Sequence, residues 1–456
     1  MKSRMLTLIT AMTLLAATLA LPGWLAAQDA QQRKRELPRY IVKDLGTLGG
    51  TVGQGRGINN NDWITGLALL PHNTAFRAFL RRKGRNIDLG TLGGPNSNTF
   101  SKPTRQGEVA GFAETSNPDP LGEDFCFFGT HLICLAFVWQ NGTMTALPTL
   151  GGSNGTAIFI NNHSQVAGLA ENTTLDSTCP NSEYQAEPVV WDKGVPQQLP
   201  TVSGDPDGFV NAINDEGVAV GGSGDCATSG AFSLHALLWQ NGSPMDLGSL
   251  GSTQFSAAFN LNDQGLVVGA SDLAGDTNFW AFPFINQHAF FWQNGAISDL
   301  GTLPGDATSI ASSISNTGQI VGQGSRAILW GSEGLTDLNT LVPGPPFSPL
   351  YLLSASDIND RGEIVGEGLA INGDLHAFLA IPCDEDHGGI EGCHSQAGLT
   401  ATEEPIQPAL AGKGVPAGGR DAIRGRRRGG PVIWNRPEAL AGHYLSNQTA
   451  GTAGRP

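Results

Sequence analysis

Three segments within residues 246–303 decide the fold: Ala258-Phe-Asn-Leu-Asn-Asp-Gln-Gly-Leu-Val-Val-Gly269, His288-Ala-Phe-Phe-Trp-Gln-Asn-Gly295 and Asp299-Leu-Gly-Thr-Leu303. The first is two β-rich runs separated by Asn, Asp and Gly, residues that tolerate the left-handed backbone of a tight hairpin. The second is a near-continuous apolar strand that ends in Trp and a Gly-containing turn. The strand after that turn runs into Asp-Leu-Gly, so one unit holds four antiparallel strands. Four strands in roughly 40–50 residues is the unit of a propeller blade.

The unit recurs. Asp44-Leu-Gly-Thr-Leu-Gly-Gly50 returns at Asp88 and, with changes, at Ala146, Gln198, Asp246, Asp299 and Asp337. Between these starts lie the Ile-Asn hairpins at residues 58–66, 160–168, 212–221, 258–269, 312–322 and 355–366, while the copy around residues 99–111 has lost its Ile-Asn. Strand three ends in Trp139, Trp191, Trp239, Trp292 or Trp330, a periodic aromatic that reads as packing between blades. The last unit lacks a fourth strand, and Tyr40-Ile-Val-Lys-Asp-Leu45 is an unpaired one. Their pairing completes seven blades and removes the exposed edge, which predicts an all-β, single seven-bladed β-propeller of four-stranded antiparallel blades, closed by the N-terminal strand.

These elements resemble the HAF repeat, an extracellular repeat named for its His-Ala-Phe tripeptide, over roughly residues 40–383. His288 and His376 keep the full tripeptide, His235 is followed by Ala-Leu, and Arg77 and Arg326 stand where the His would be. The resemblance implies an exported repeat protein and specifies no chemistry.

The ends agree with export. Lys2 and Arg4 precede an uncharged stretch from Met5 to Leu21, a Pro22-Gly23 break and small residues at Ala26-Ala27, the order of a signal peptide. Residues 1–27 are therefore read as a signal peptide, 28–39 as a linker, 40–383 as the propeller and 384–456 as a disordered tail rich in Gly, Ala, Pro and Arg. After cleavage nothing is left for membrane insertion, and the protein is expected to be secreted, periplasmic or on the cell surface. Residues 40–383 hold 12 Lys or Arg against 31 Asp or Glu, a balance that repels a phosphate backbone and argues against nucleic acid.

Six cysteines in an exported chain suggest disulfides. Cys126 with Cys134 and Cys383 with Cys393 close locally; Cys179 and Cys226 sit in equivalent loops of neighbouring blades and are expected to pair. No CxxC spacing marks a zinc site.

No catalytic, metal-ligating or cofactor-binding set emerges. His235, His288 and His376 begin strand three of different blades, which keeps them apart and makes strand-end hydrogen bonding their default role. Asn-Asp-x-Gly is too short to wrap a calcium ion. Gly151-Gly-Ser-Asn-Gly155 matches a nucleophile elbow but lies between strands, without the required helix. The informative variation is in the connections between strands two and three, which are long in blades two to five and share one face of the ring. They carry aromatics, of which Phe127, Phe128, Tyr184, Trp280 and Phe282 are the candidate ligand contacts, among scattered acids. Such a rim suits a glycan or a protein partner. The expected function is an exported binding or scaffold protein; a secreted polysaccharide hydrolase or lyase and a structural envelope protein are the alternatives.

The signal reading predicts cleavage near Ala27. N-terminal sequencing of exported protein tests it, and retention of Met5–Leu21 would identify an anchor instead.

Overall fold

A computed structural model of the chain describes residues 39–387, 390 and 393, apart from 180–182, 226–233, 276–286, 332–333 and 344–347. Residues 1–27, expected to be a signal peptide, and all but the first residues of the expected tail lie outside these. The described residues form seven four-stranded antiparallel blades in a ring, a seven-bladed β-propeller. The blades span residues 53–88, 93–146, 155–198, 207–246, 251–299, 310–337 and 350–382, the last completed by Tyr40–Gly46. A single parallel bridge, Leu234 to Phe255, also joins blades four and five.

Strand one of each blade lies at the axis and strand four at the rim. Gly53–Ile58 is buried throughout, whereas Thr143–Ala146 and Ala296–Asp299 are largely exposed. The closing strand pairs antiparallel with Leu375–Pro382, Tyr40 opposite Pro382 and Asp44 opposite Phe378. Both faces of every blade are covered by neighbours, which is why strand three reads as a near-continuous apolar run.

The motif residues have structural duties. In six blades strand one carries a β-bulge, at which the register skips Arg56, Ile158, Asn211, Phe259, Ser312 or Ser356. Opposite the bulge stands the last Gly of the Val-Val-Gly segment or its equivalent. A Cβ on Gly66, Gly111, Gly168, Gly221, Gly269, Gly322 or Gly366 would collide with a strand-one carbonyl oxygen, so the close approach requires glycine. In four blades the Phe of strand three lies over that same Gly: Phe79, Phe137, Phe290 and Phe378.

The Asn of Ile-Asn ties the hairpin and then the ring. Asn262 Oδ1 accepts from the backbone N–H groups of Gln264 and Leu266, and its Nδ2 donates to the Ser315 carbonyl of the next blade at 3.1 Å. Asn59, Asn161, Asn214 and Asn359 make the same inter-blade bond, to Thr104, Asn214, Asn262 and Asn59 respectively. Thr104 and Ser315 hold the two positions without the amide. One residue further on, the N–H of Arg105, Asn162, Asp263, Asn316 and Asp360 donates to the side chain of Asn162, Asp215, Asn316, Asp360 and Asn60 in the following blade, at 2.8–3.0 Å. Two hydrogen-bonded belts therefore run round the short-turn face.

Strand-three Trp residues tie the rim in the same sense. Trp191, Trp239 and Trp330 donate Nε1–H to the carbonyls of Pro148, Pro200 and Leu300, each in the connection leaving the previous blade. Cys126–Cys134 and Cys383–Cys393 are bonded as the spacing predicted. Cys179 is disulfide-bonded as well, and Cys226 lies outside the described residues.

Deleting residues 28–46 is expected to abolish the cooperative melting transition of the exported protein, because the last sheet edge is then open. A melting curve decides it: an unchanged midpoint would mean that the ring does not depend on this strand.

Candidate functional site

The recurrent histidines are engaged within the frame. His288 Nδ1 lies 2.9 Å from Asp299 and His376 Nδ1 2.9 Å from Asp44, joining the start of strand three to the end of strand four. Arg326 makes the equivalent pair with Asp337 at 2.6 Å, and Arg77 with Asp88 at 3.5 Å. Where the Asp is replaced, its partner changes too: Glu187 bonds Gln198 in blade three, and Leu135 stands with Ala146 in blade two. His235 turns instead to Asp205 at 2.8 Å, a bond that raises its pKa. The named His and the Asp of Asp-Leu-Gly are thus two halves of one strand-end contact. No pair of these histidines converges.

At the axis the bulges deliver one side chain per blade. Arg56, Ile158, Asn211, Phe259, Ser312 and Ser356, with Phe100 from blade two, line a cavity of about 520 Å³ counting the space at its mouth. Phe159, Asn260 and Asp357 complete the wall. Arg56 stacks over the Phe100 ring at 4.6 Å and donates to Gln54 Oε1 at 2.5 Å. Asp357 accepts from the Ile58 N–H at 2.8 Å and from the Ser313 hydroxyl at 2.6 Å.

The long-loop side of the axis is apolar. The disulfide-bonded loop of blade two contributes Phe125, Cys126 and Cys134 to the cluster that holds Ile158, Phe209, Phe255 and Phe259. Phe128 packs against that cluster, with ring contacts to Phe76 at 6.0 Å and Phe112 at 6.2 Å. Phe127, at φ 57°, and Tyr184 are half-buried. Trp280 and Phe282 lie outside the described residues. Of the described candidates, Phe128 packs against its own loop, while Phe127 lies in the blade-two loop whose Glu123 accepts from the Tyr184 N–H of blade three at 3.3 Å.

The sequence showed scattered acids in these loops, Asp176 among them, but not that they gather at the seams beneath. Asn154 Nδ2 donates to Asp119 at 2.8 Å, to Glu171 at 3.2 Å and to Glu123 at 3.3 Å. Burial, then a hydrogen bond with Glu171, pushes Glu123 up to about 10. Between blades three and four, burial and a hydrogen bond with Asp176 push Asp207 up to about 9. Asp176, Asp207 and Cys179 bring donor atoms within 4.8 Å of one another, but the Cys179 sulfur is held in a disulfide and offers no thiolate. Each seam thus brings a loop carboxyl against a carboxyl of the next blade. The signal was present as acids in long loops; which ones meet depends on how the loops fold.

No protein-family model matches the chain, and no curated protein does. Among solved structures it is similar to an acylaminoacyl peptidase from Pyrococcus horikoshii, at 10% identity and TM-score 0.45, over 74% of this chain and 52% of that one. It is similar to the β-propeller domain of the Trilobed protease from Pyrococcus furiosus, at 9% identity and TM-score 0.39, over 75% and 95%. A polysaccharide lyase, the PL25 ulvan lyase, follows at 10% identity and TM-score 0.35, over 75% and 94%. The chain spans about half the length of the peptidases it matches. At such identities the likeness concerns the propeller alone.

The seam carboxyls predict a pH dependence with a definite sign. A carboxyl protonated in the folded state and ionised in the unfolded one binds more protons when folded, so stability falls as pH rises from the ordinary carboxylate range towards 9–10. The raised His235 acts in the same direction once pH passes its unfolded value. Melting temperature is expected to decline from pH 5 to pH 9, and Glu123→Gln and Asp207→Asn to flatten the decline. Identical slopes in the variants would show that these carboxyls ionise freely in the fold.

Proposed function

We propose that the chain is an exported HAF-repeat propeller that acts as a binding or scaffold module for a glycan or a protein outside the cytoplasm. One observation carries the reading. The repeated polar residues are engaged in holding blades together, while the residues that differ from blade to blade gather at the axis and in the long connections of one face. A regular frame with variable loops on one face is how binding surfaces are built on repeat scaffolds.

Disulfides between Cys126 and Cys134 and between Cys383 and Cys393 suit an oxidising compartment. No helix among the described residues is long and apolar enough to cross a membrane. The polysaccharide hydrolase or lyase reading requires two carboxylates converging on a substrate, or a metal set. Among the described residues the axial lining carries one carboxylate, Asp357, and both its oxygens are engaged.

The test is capture of purified exported protein on an array of bacterial and plant glycans, with chemical cross-linking to extracellular protein in parallel. Binding without turnover is expected, weakened by Phe127→Ala combined with Tyr184→Ala if the long-loop face is the surface used. Release of shortened or unsaturated sugar products by the purified protein would overturn the binding reading in favour of an enzyme.

A further inference from the structure

The two ends of the ring meet at one point. Beyond the ladder of Tyr40–Gly46 with Leu375–Pro382, the Cys383 N–H donates to the Arg39 carbonyl at 2.7 Å. The residue that leaves blade seven is thus paired with the one that enters the closing strand. From there the chain turns back. The Ile390 N–H donates to the His387 carbonyl at 3.4 Å and the Cys393 N–H to the Ile390 carbonyl at 3.2 Å, and the Cys383–Cys393 disulfide returns residue 393 to the end of the ladder.

The described residues of this loop pack on the seam between blades seven and one. Ile390 packs against the cluster that holds Leu45 of the closing strand, Ile58 and Ile64 of blade one, and Leu379 and Ile381 of blade seven. The His387 side chain, only 7% exposed, sets Nδ1 2.6 Å from Asp384 and Nε2 3.6 Å from Glu363. Glu363 belongs to the junction itself. It accepts from Asn359 Nδ2 and from Arg361, and those two side chains also reach the Asn59 carbonyl and Asp62 of blade one. One apolar and one polar contact therefore hold the loop across the place where the ring closes.

Such contacts do not hold the loop unaided. Ordering the backbone of each residue costs conformational entropy, and one half-buried isoleucine with one histidine does not offset that cost over a span of ten residues. The disulfide makes up the deficit by removing much of the disorder that the detached loop would otherwise gain. Its sulfurs are also the easier ones to reach. Cys383 and Cys393 are half-buried, whereas Cys126 and Cys134 are 8% and 0% exposed within the apolar cluster near the axis. Thiol–disulfide exchange requires access of a thiolate to the sulfur it attacks.

We propose that residues 383–393 form a redox-sensitive clasp on the ring closure, opened by a dithiol reductant. A thiolate of the reductant attacks one sulfur of the bond, and the other cysteine leaves as a thiolate. The second thiol of the reductant then displaces the first cysteine, so that Cys383 and Cys393 end as two thiols and the reductant as its disulfide. Ile390 and His387 then detach, and Tyr40–Gly46 loses the support that the loop gives to Leu45 and to the end of the ladder. The clasp does not depend on what the propeller binds.

The test exposes full-length exported protein to dithiothreitol at a concentration that leaves the fold intact, then alkylates free thiols and maps the peptides. Cys383 and Cys393 are expected to be alkylated before Cys126 and Cys134, and a simultaneous or reverse order overturns the proposal. In the same samples the amides of Tyr40–Gly46 are expected to exchange hydrogen about ten-fold faster after reduction, and the melting midpoint to fall by about 2–6 °C. Cys179 is disulfide-bonded as well, so a Cys383→Ser, Cys393→Ser variant separates its effect. That variant is expected to show the faster exchange at Tyr40–Gly46 with or without reductant. Protection of this strand that survives reduction of Cys383–Cys393 in the unaltered protein, or that still falls on reduction in the serine variant, overturns the clasp.

Discussion

Ring closure rests on the antiparallel ladder between Tyr40–Gly46 and Leu375–Pro382. It joins residues more than 300 positions apart, and the seventh blade is incomplete without it. An apolar sheet cannot be left half covered or end in an open edge. With the ladder formed, every blade has two neighbours, and the axis becomes a place where seven first strands meet. Asp44 also completes the strand-end contact with His376, so one short segment brings the strand, the hydrogen bond and the covered edge together.

The same economy extends round the ring. Each turn Asn serves its own hairpin through Oδ1 and the next blade through Nδ2, so a local turn and an inter-blade contact cannot be lost separately. The bulge couples strand one to the strand-two Gly, and in four blades the Gly couples to the strand-three Phe. Asn262, Gly269 and Phe290 therefore act within one packing unit, although the sequence separates them by nearly thirty residues.

Much of this frame was legible in the chain, because turn chemistry and strand periodicity are local and the repeat shows them several times. The blade count, the closing strand and two disulfides follow from such signals. The axial site was not legible. A bulge breaks the two-residue alternation of a strand, so Phe259 and Arg56 read simply as strand residues until the register is seen. The partnership of His376 with Asp44 was hidden for a related reason: it joins two motifs read separately, and its traces are the paired replacements of Glu187 with Gln198 and Leu135 with Ala146. The seam carboxyls Glu123, Glu171, Asp176 and Asp207 sit at loop ends whose approach no local rule specifies.

The division between belt and bulge separates the positions that repeat round the ring from those that differ. At the belt position the seven blades hold Asn, Thr or Ser, side chains that hydrogen-bond the turn, and in five of them the amide also reaches the next blade. Three residues earlier, the bulges of six blades hold Arg, Ile, Asn, Phe, Ser and Ser. The bulged residue is skipped in the ladder register and lines the axial cavity. Substitution there changes the lining of the axial cavity at little cost to strand pairing, whereas substitution at the belt weakens two blades at once. The bulge lets a propeller built of near-identical units place different residue types, from Arg56 to Phe259 to Ser356, at the same position of its blades.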